Sequence, residues 1–230
     1  MLYDPSMIDH PFARLQPFQN NLHVAFFHKG DDIFTDDQAR TKIGASQIAA
    51  LRQMHGNRIL YAKEGIQRTE EGDALITDVP GLALAIRMAD CQAFVVYAPK
   101  QNVIGLIHAG WRGLEAGIIG NFFAMLQEKW RIAAHETYVG AVPSLCENCA
   151  EFTDPRTELA HAPEEVIQDS HVDLQRWADL QLEAAGVPQN HLERMPGCTK
   201  CELERYWTYR GGDRDAVKHG NTNMLLAVLR

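Results

Sequence analysis

No apolar run in the 230 residues approaches the roughly 18 needed to span a membrane, so no membrane partner is expected. Basic residues are outnumbered, with 22 Lys and Arg against 30 Asp and Glu and a formal net charge of −8. No basic run stands out, which argues against a nucleic-acid partner while leaving room for a local phosphate site. The opening MLYDPSMIDHPF has neither the charged n-region nor the apolar h-region of a secretory signal. A soluble, cytoplasmic protein is expected. There is no internal repeat, no low-complexity tract and no Pro/Gly/Ser-rich linker, so a single domain over 1–230 is expected. Ten histidines are present, yet none are arranged as His-x-His.

Cysteine is sparse and odd in number, at five. A chain this long buries a sizeable core without disulfide staples. In a reducing compartment such cysteines are metal ligands, nucleophiles or buried thiols more often than disulfides. Cys146 and Cys149 form one C-x-x-C, Cys198 and Cys201 form another, and Cys91 stands alone.

Hydrophobic patterning supplies the elements. NLHVAFFHKG (21–30) reads as a strand, and residues 35–56 as one or two helices. RILYAKE is a short strand. Residues 72–110 hold three or four β-branched strands separated by turn signals. Residues 114–130 are amphipathic and helical, and ETYVGAV is a strand. PEEVIQ and DLQRWADLQLEAAG read as helical, ERYWTYRGGD as a strand into a turn, and TNMLLAVL as a strand or short helix. Strands and helices mix without a βαβ rhythm. The expected class is α+β: mixed central β-sheets flanked by helices.

Within CQAFVVYAPKQNVIGLIH, two apolar runs flank a turn signal at Pro99 and Lys100. An antiparallel hairpin about that turn makes Cys91 and His108 cross-strand partners, with Cβ atoms about 4.5–5.5 Å apart. Such a pair can share a metal, form a Cys–His couple, or be a buried thiol beside a structural histidine. Asp90 precedes Cys91, as a general base or a backbone acceptor. After His108 comes AGWRG and a helix. A helix N-terminus and the fork of Arg112 both suit an anion, and the glycines allow close approach.

Taken in order, RQMHG (52–56), GDALIT (72–77), ADC (89–91), HAGWRG (108–113) and YR (209–210) resemble the motifs of the YfiH/laccase-domain family. The resemblance covers about residue 20 to the end. Members have been called multicopper polyphenol oxidases and, later, purine nucleoside phosphorylases with adenosine deaminase activity. A bacterial branch is linked to peptidoglycan editing. The resemblance implies one metal, taken as zinc with copper as the alternative, held by His55, Cys91 and His108. Three ligands leave one tetrahedral position open, as in catalytic zinc sites. It implies nucleoside and phosphate as partners, with Arg112 and Arg210 on the phosphate; Cys91, His108 and Asp90 are the candidate catalytic residues. Asp73 orients a ligand histidine or caps a turn.

The alternatives are a cysteine or metal hydrolase of peptidoglycan precursors and a copper-dependent polyphenol oxidase. Multicopper chemistry uses closely spaced histidine pairs, which this chain lacks. The chain also departs from the family pattern. VGAVPSLCENCAEF replaces a segment with adjacent cysteines, KHGNTN replaces a Gly-Arg pattern, and HKGDD replaces an N-terminal turn. The two C-x-x-C pairs make either a four-cysteine zinc site or buried thiols. Tyr206, Trp207 and Tyr209 either stack on a purine or pack in the core. His10, His23, His135, His161, His171 and His191 read as ordinary structural or surface residues.

Overall fold

The computed structural model describes residues 11–230; His10 and most of the N-terminal segment tested for a signal sequence lie outside the described residues. Strand β1 (Leu22–Phe27) is followed by helix α1 (Asp36–Ile43), then by β2 (Gln47–Arg52), β3 (Ile59–Tyr61), β4 (Ile66–Glu71) and β5 (Ala74–Thr77). Next come β6 (Leu82–Met88), β7 (Gln92–Ala98), β8 (Val103–Ala109), α2 (Trp111–Glu115), α3 (Ile118–Trp130) and β9 (Tyr138–Ala141). The chain continues through α4 (Pro155–Glu158), β10 (Ile167–Gln168), β11 (His171–Val172) and α5 (Leu174–Ala185). It ends with β12 (Leu192–Arg194), α6 (Arg214–Lys218) and β13 (Asn223–Leu229). One sheet runs β1-β13-β6-β2-β4 and the other β12-β9-β7-β8-β5-β3, while β10 and β11 pair apart. Both sheets mix parallel and antiparallel pairings, which is the expected α+β class.

Side-chain alternation sorts the core into layers. Leu84, Ile86, Val95, Leu106, Leu225 and Ala227 meet between the two sheets. The opposite face of the six-stranded sheet carries Phe94, Val96 and Ile107 against Phe122, Leu126 and Trp177 of α3 and α5. The opposite face of the five-stranded sheet carries Ala83, Ala85 and Leu226 against Ala39 and Ile43 of α1. Central strands covered on both faces read as unbroken apolar runs. Gly105 in β8 lets Phe122 seat, since a Cβ there would lie 2.3 Å from its Cζ. Burying such a ring stabilises the fold by about 1.5–3 kcal/mol and fixes the helix that follows the HAGWRG turn.

Several local expectations change. Residues 35–56 hold one helix and then a strand. Thr35 and Gln38 form a reciprocal capping box at the start of α1, and Gly44 ends it at φ 74°. The following β2 is a central strand, parallel to both neighbours. Residues 114–130 are broken at Gly117, φ 72°, between α2 and α3. PEEVIQ is a 3-10 turn running into β10. Residues 204–213 form turns instead of a strand into a turn, because side chains satisfy their backbone: Trp207 N–H donates to Asn223 Oδ1 at 3.0 Å and Thr208 N–H to Asp213 Oδ2 at 3.2 Å. Among the described residues, no helix is long and apolar enough to cross a membrane.

Candidate functional site

The β7–β8 hairpin forms, but its register differs from the expected one. The turn occupies residues 99–102, so His108 pairs with Ala93 and Gln92 with Ala109. Cys91 therefore lies two residues along from His108's partner. A shift of two preserves the face, so both side chains still point to one side as diagonal neighbours. That side is the interlayer side, shared with Leu106 and Val95, at the open end of the two sheets.

Asp73 assembles the rest. It precedes β5, where Ala74 pairs with Ile107, so it lies across from His108. His108 N–H donates to the Asp73 carbonyl at 2.7 Å, and His108 Nδ1–H donates to Asp73 Oδ1 at 2.9 Å. The same fully buried carboxylate accepts the backbone N–H groups of Met54, His55 and Gly56 at 3.2, 2.8 and 2.8 Å. It thereby holds His55 in a left-handed conformation, φ 61°, which a non-glycine residue adopts only when its surroundings fix it. Burial pushes the Asp73 carboxyl up, but His108 and the Gly56 and His55 N–H groups outweigh it and hold it below the usual range.

The outcome is one cluster. Ligand atoms of His55, Cys91 and His108 all lie within 4.8 Å of one another. The His55 and His108 rings stand 4.9 Å apart at 78°. Burial opposes charge on the Cys91 thiol, but the imidazoles of His108 and His55 bring it down to about 6. Burial likewise opposes charge on His108, but the Cys91 thiolate and Asp73 raise it to about 9. Such values favour a thiolate–imidazolium pair until a metal takes the place of the His108 Nε2 proton. The donor set fits a zinc-type ion, with two imidazoles, one thiolate and room for a fourth ligand. The backbone fits too. A Cβ on Gly110 would lie 2.9 Å from Cys91 Sγ and 3.2 Å from His55 Cδ2, so only glycine leaves the cradle open.

The cluster lines a cavity of about 620 Å³ whose walls include Arg87, Arg112, Tyr209 and Arg210. Arg112 is exposed and stacks on Trp111, its guanidinium carbon 4.0 Å from the ring centre. Arg210 Nη1 donates to the Glu151 carbonyl at 2.6 Å. Asp90, at φ 88°, accepts Thr199 and Thr208 hydroxyls on Oδ1 at 2.7 and 2.6 Å, and the Arg210 N–H on Oδ2 at 2.7 Å. Its carboxylate ties the β6–β7 turn to two points of the connection between β12 and α6, behind the cluster. Tyr206 is fully buried, whereas Tyr209 is 40% exposed at the cavity. The second cysteine set also converges, Cys146, Cys149, Cys198 and Cys201 lying mutually within 4.8 Å.

Sequence reading missed Arg87, Gln53, Gln92 and Thr222, all on the cavity wall. Arg87 and Gln53 exchange backbone-to-amide hydrogen bonds at 2.9 and 2.7 Å. The signal was an arginine inside the apolar run LALAIRM, fixed by Asp36 and by the carbonyls of Gly220 and Phe34. Gln92 Oε1 and Thr222 Oγ1 are buried with no hydrogen-bond partner among the described residues, which leaves them able to bond a water or a ligand.

This two-sheet α+β domain, with a His/Cys/His cluster between its layers, is of the YfiH-like class. A family model described as multi-copper polyphenol oxidoreductase laccase matches residues 32–228, and the chain belongs to that family. It is 33% identical over 168 residues to a purine nucleoside phosphorylase, YlmD, of Geobacillus stearothermophilus, covering 68% of this chain and 59% of that protein. It is 27% identical over 192 residues to an adenosine deaminase from an unknown prokaryotic organism, covering 74% of this chain and 71% of that one. The crystal structure of YlmD from Geobacillus stearothermophilus superposes with a TM-score of 0.74 at 25% identity, over 96% of this chain and 93% of that one. The Bacillus licheniformis hypothetical protein YfiH shares the fold, with a TM-score of 0.69 at 22% identity over 80% and 74% of the two chains. Homology to enzymes and a cluster able to bind metal give the chain catalytic potential.

Proposed function

We propose that the protein is a zinc-dependent enzyme of purine nucleosides. It cleaves adenosine or inosine with phosphate and deaminates adenosine hydrolytically. The carrying observation is the His55–Cys91–His108 cluster at a cavity whose walls also hold Arg87, Arg112 and Arg210. In phosphorolysis an oxygen of hydrogen phosphate bonds to the sugar's anomeric carbon as the bond from that carbon to the base nitrogen breaks, and the base leaves with the proton the phosphate gives up.

Zinc bound at the cluster would supply Lewis-acid polarisation of a substrate oxygen and activation of water. The chain's residues do the rest. Asp73 holds the Nδ1 proton of His108, leaving Nε2 as the free ring nitrogen. Arg112 presents an exposed guanidinium to phosphate, beside the glycine-lined turn. Arg210 is steered by Asp90 through its backbone and brings a second positive charge to the wall. Gln92 and Thr222 offer polar atoms to the nucleoside. Asp90, with its oxygens engaged by three donors, serves as a positioning residue.

The absence of a second histidine cluster among the described residues favours zinc over multicopper chemistry. The thiolate–imidazolium pairing of Cys91 and His108 favours one other reading, a metal-independent cysteine hydrolase of an amide such as a peptidoglycan precursor. Removing metal with a strong chelator and restoring it separates them. Phosphate-dependent nucleoside cleavage that disappears with the metal and returns with zinc supports the proposal. Amide hydrolysis that survives chelation and dies with thiol alkylation supports the hydrolase.

A further inference from the structure

Four of the five cysteines meet away from the His55–Cys91–His108 cluster. Cys146 and Cys149 bracket the 3-10 turn after β9, and Cys198 and Cys201 lie in the loop after β12. The pairing of β12 with β9 is parallel, so both strands deliver their following loops to the same end of the sheet. The intervening residues 150–197 fold into α4, β10, β11, α5 and β12, which removes any strain from the long sequence gap.

The sulfur spacing is that of ligands around one ion. Cys149 Sγ and Cys201 Sγ are 3.5 Å apart, and Cys146 Sγ and Cys201 Sγ are 3.9 Å apart. Four sulfurs at about 2.3 Å from a central zinc form a tetrahedron with edges of about 3.8 Å. A disulfide needs about 2.05 Å, and all four are free thiols. Backbone groups converge on the same point. Cys146 N–H donates to Cys198 Sγ at 3.3 Å, and Thr199 N–H donates to the Ser144 carbonyl at 3.2 Å.

We propose that Cys146, Cys149, Cys198 and Cys201 bind one zinc ion as a closed, four-thiolate structural site, distinct from the His55–Cys91–His108 cluster. Four protein ligands leave no open position, so the ion does no chemistry. It clamps the loop after β12 to the loop after β9. That clamp reaches the cavity through Thr199, which sits between the two cysteines of its loop and donates to buried Asp90. Asp90 also receives the Arg210 N–H, so the ion sets the position of one cavity wall.

The test is metal content of protein purified without added metal, in wild type, Cys91→Ser and the double variant Cys198→Ser/Cys201→Ser. Cys91→Ser removes the thiolate of the other cluster, so zinc it retains reports the four-cysteine site whatever the enzyme's activity. About one zinc per chain is expected in Cys91→Ser, and none at the four-cysteine site of the double variant. Cobalt exchanged into Cys91→Ser should give the intense ligand-field and sulfur charge-transfer absorption of a tetrahedral four-thiolate site. This readout holds even if the double variant fails to fold. Cys91→Ser protein without zinc or cobalt–thiolate absorption would overturn the proposal, as would iron in place of zinc or a double variant that keeps wild-type zinc.

Discussion

Asp73 Oδ1 accepts the Nδ1–H of His108 at 2.9 Å while the same oxygen accepts the backbone N–H of His55 at 2.8 Å. One buried carboxylate thus aims one imidazole through its ring and another through its backbone. Asp73→Asn should keep the fold but weaken zinc binding by about 10–100-fold, the usual cost of losing a partner that orients a metal-binding histidine. Chelator competition on purified protein measures it. Unchanged zinc affinity would remove Asp73 from that role.

Gly110 has φ −70° and ψ 168°, so alanine there meets no backbone strain. Its Cβ would instead lie 2.9 Å from Cys91 Sγ. Gly110→Ala is expected to lower zinc affinity and activity together, with little change in thermal unfolding. Loss of stability with zinc affinity intact would contradict the steric account.

Among the described residues Arg112 has no ion-pair partner, and its guanidinium stacks on Trp111. Arg112→Ala should raise the phosphate concentration needed for half-maximal rate at least about tenfold, the scale of one charged hydrogen-bonding group. Zinc content should stay the same, and stability should shift by no more than about 0.5 kcal/mol. Initial rates against phosphate, paired with metal analysis, check this.

Asp36 receives Arg68 Nε and Nη2 at 2.8 and 2.9 Å and Arg87 Nε at 3.1 Å. Burial pushes its carboxyl up, but Arg68 and then Arg87 outweigh it and depress it below the usual range. A depressed folded value stabilises above the unfolded value of about 3.9, and the stabilisation is lost as pH falls through the folded value. Asp36→Asn should therefore cost about 1–3 kcal/mol at neutral pH, with the deficit shrinking below about pH 3.9. Denaturant unfolding at several pH values reads it. A deficit that is constant with pH would contradict the ion-pair origin.

The legible parts of the sequence were those where local pattern and long-range order agree. Cys91 and His108 close an apolar hairpin, and misplacing its turn by one residue shifted the register by two, which kept their shared face. His55 lies in a loop held by Asp73 across the sheet edge, and no local periodicity signals such a contact; the family resemblance supplied it. The strand β2 carries Ala49, Ala50 and Leu51, which suit a helix as well as a strand, and burial on both faces hides the period of two. Residues 204–213 read as a strand into a turn because aromatic residues recur, but Asn223 and Asp213 side chains capture their backbone. Arg87 and Gln53 went unnoticed because their meaning depends on β6 meeting the loop before His55.

Under the proposed function, His55, Cys91 and His108 hold the zinc used in nucleoside chemistry. The direct measurement is zinc content and phosphate-dependent cleavage of adenosine and inosine on the same samples of wild type and Cys91→Ala. The account predicts that the variant loses about one zinc per chain and all phosphate-dependent cleavage together. A variant that retains the wild-type rate, or a fully zinc-loaded wild type that releases no base with phosphate, would contradict it.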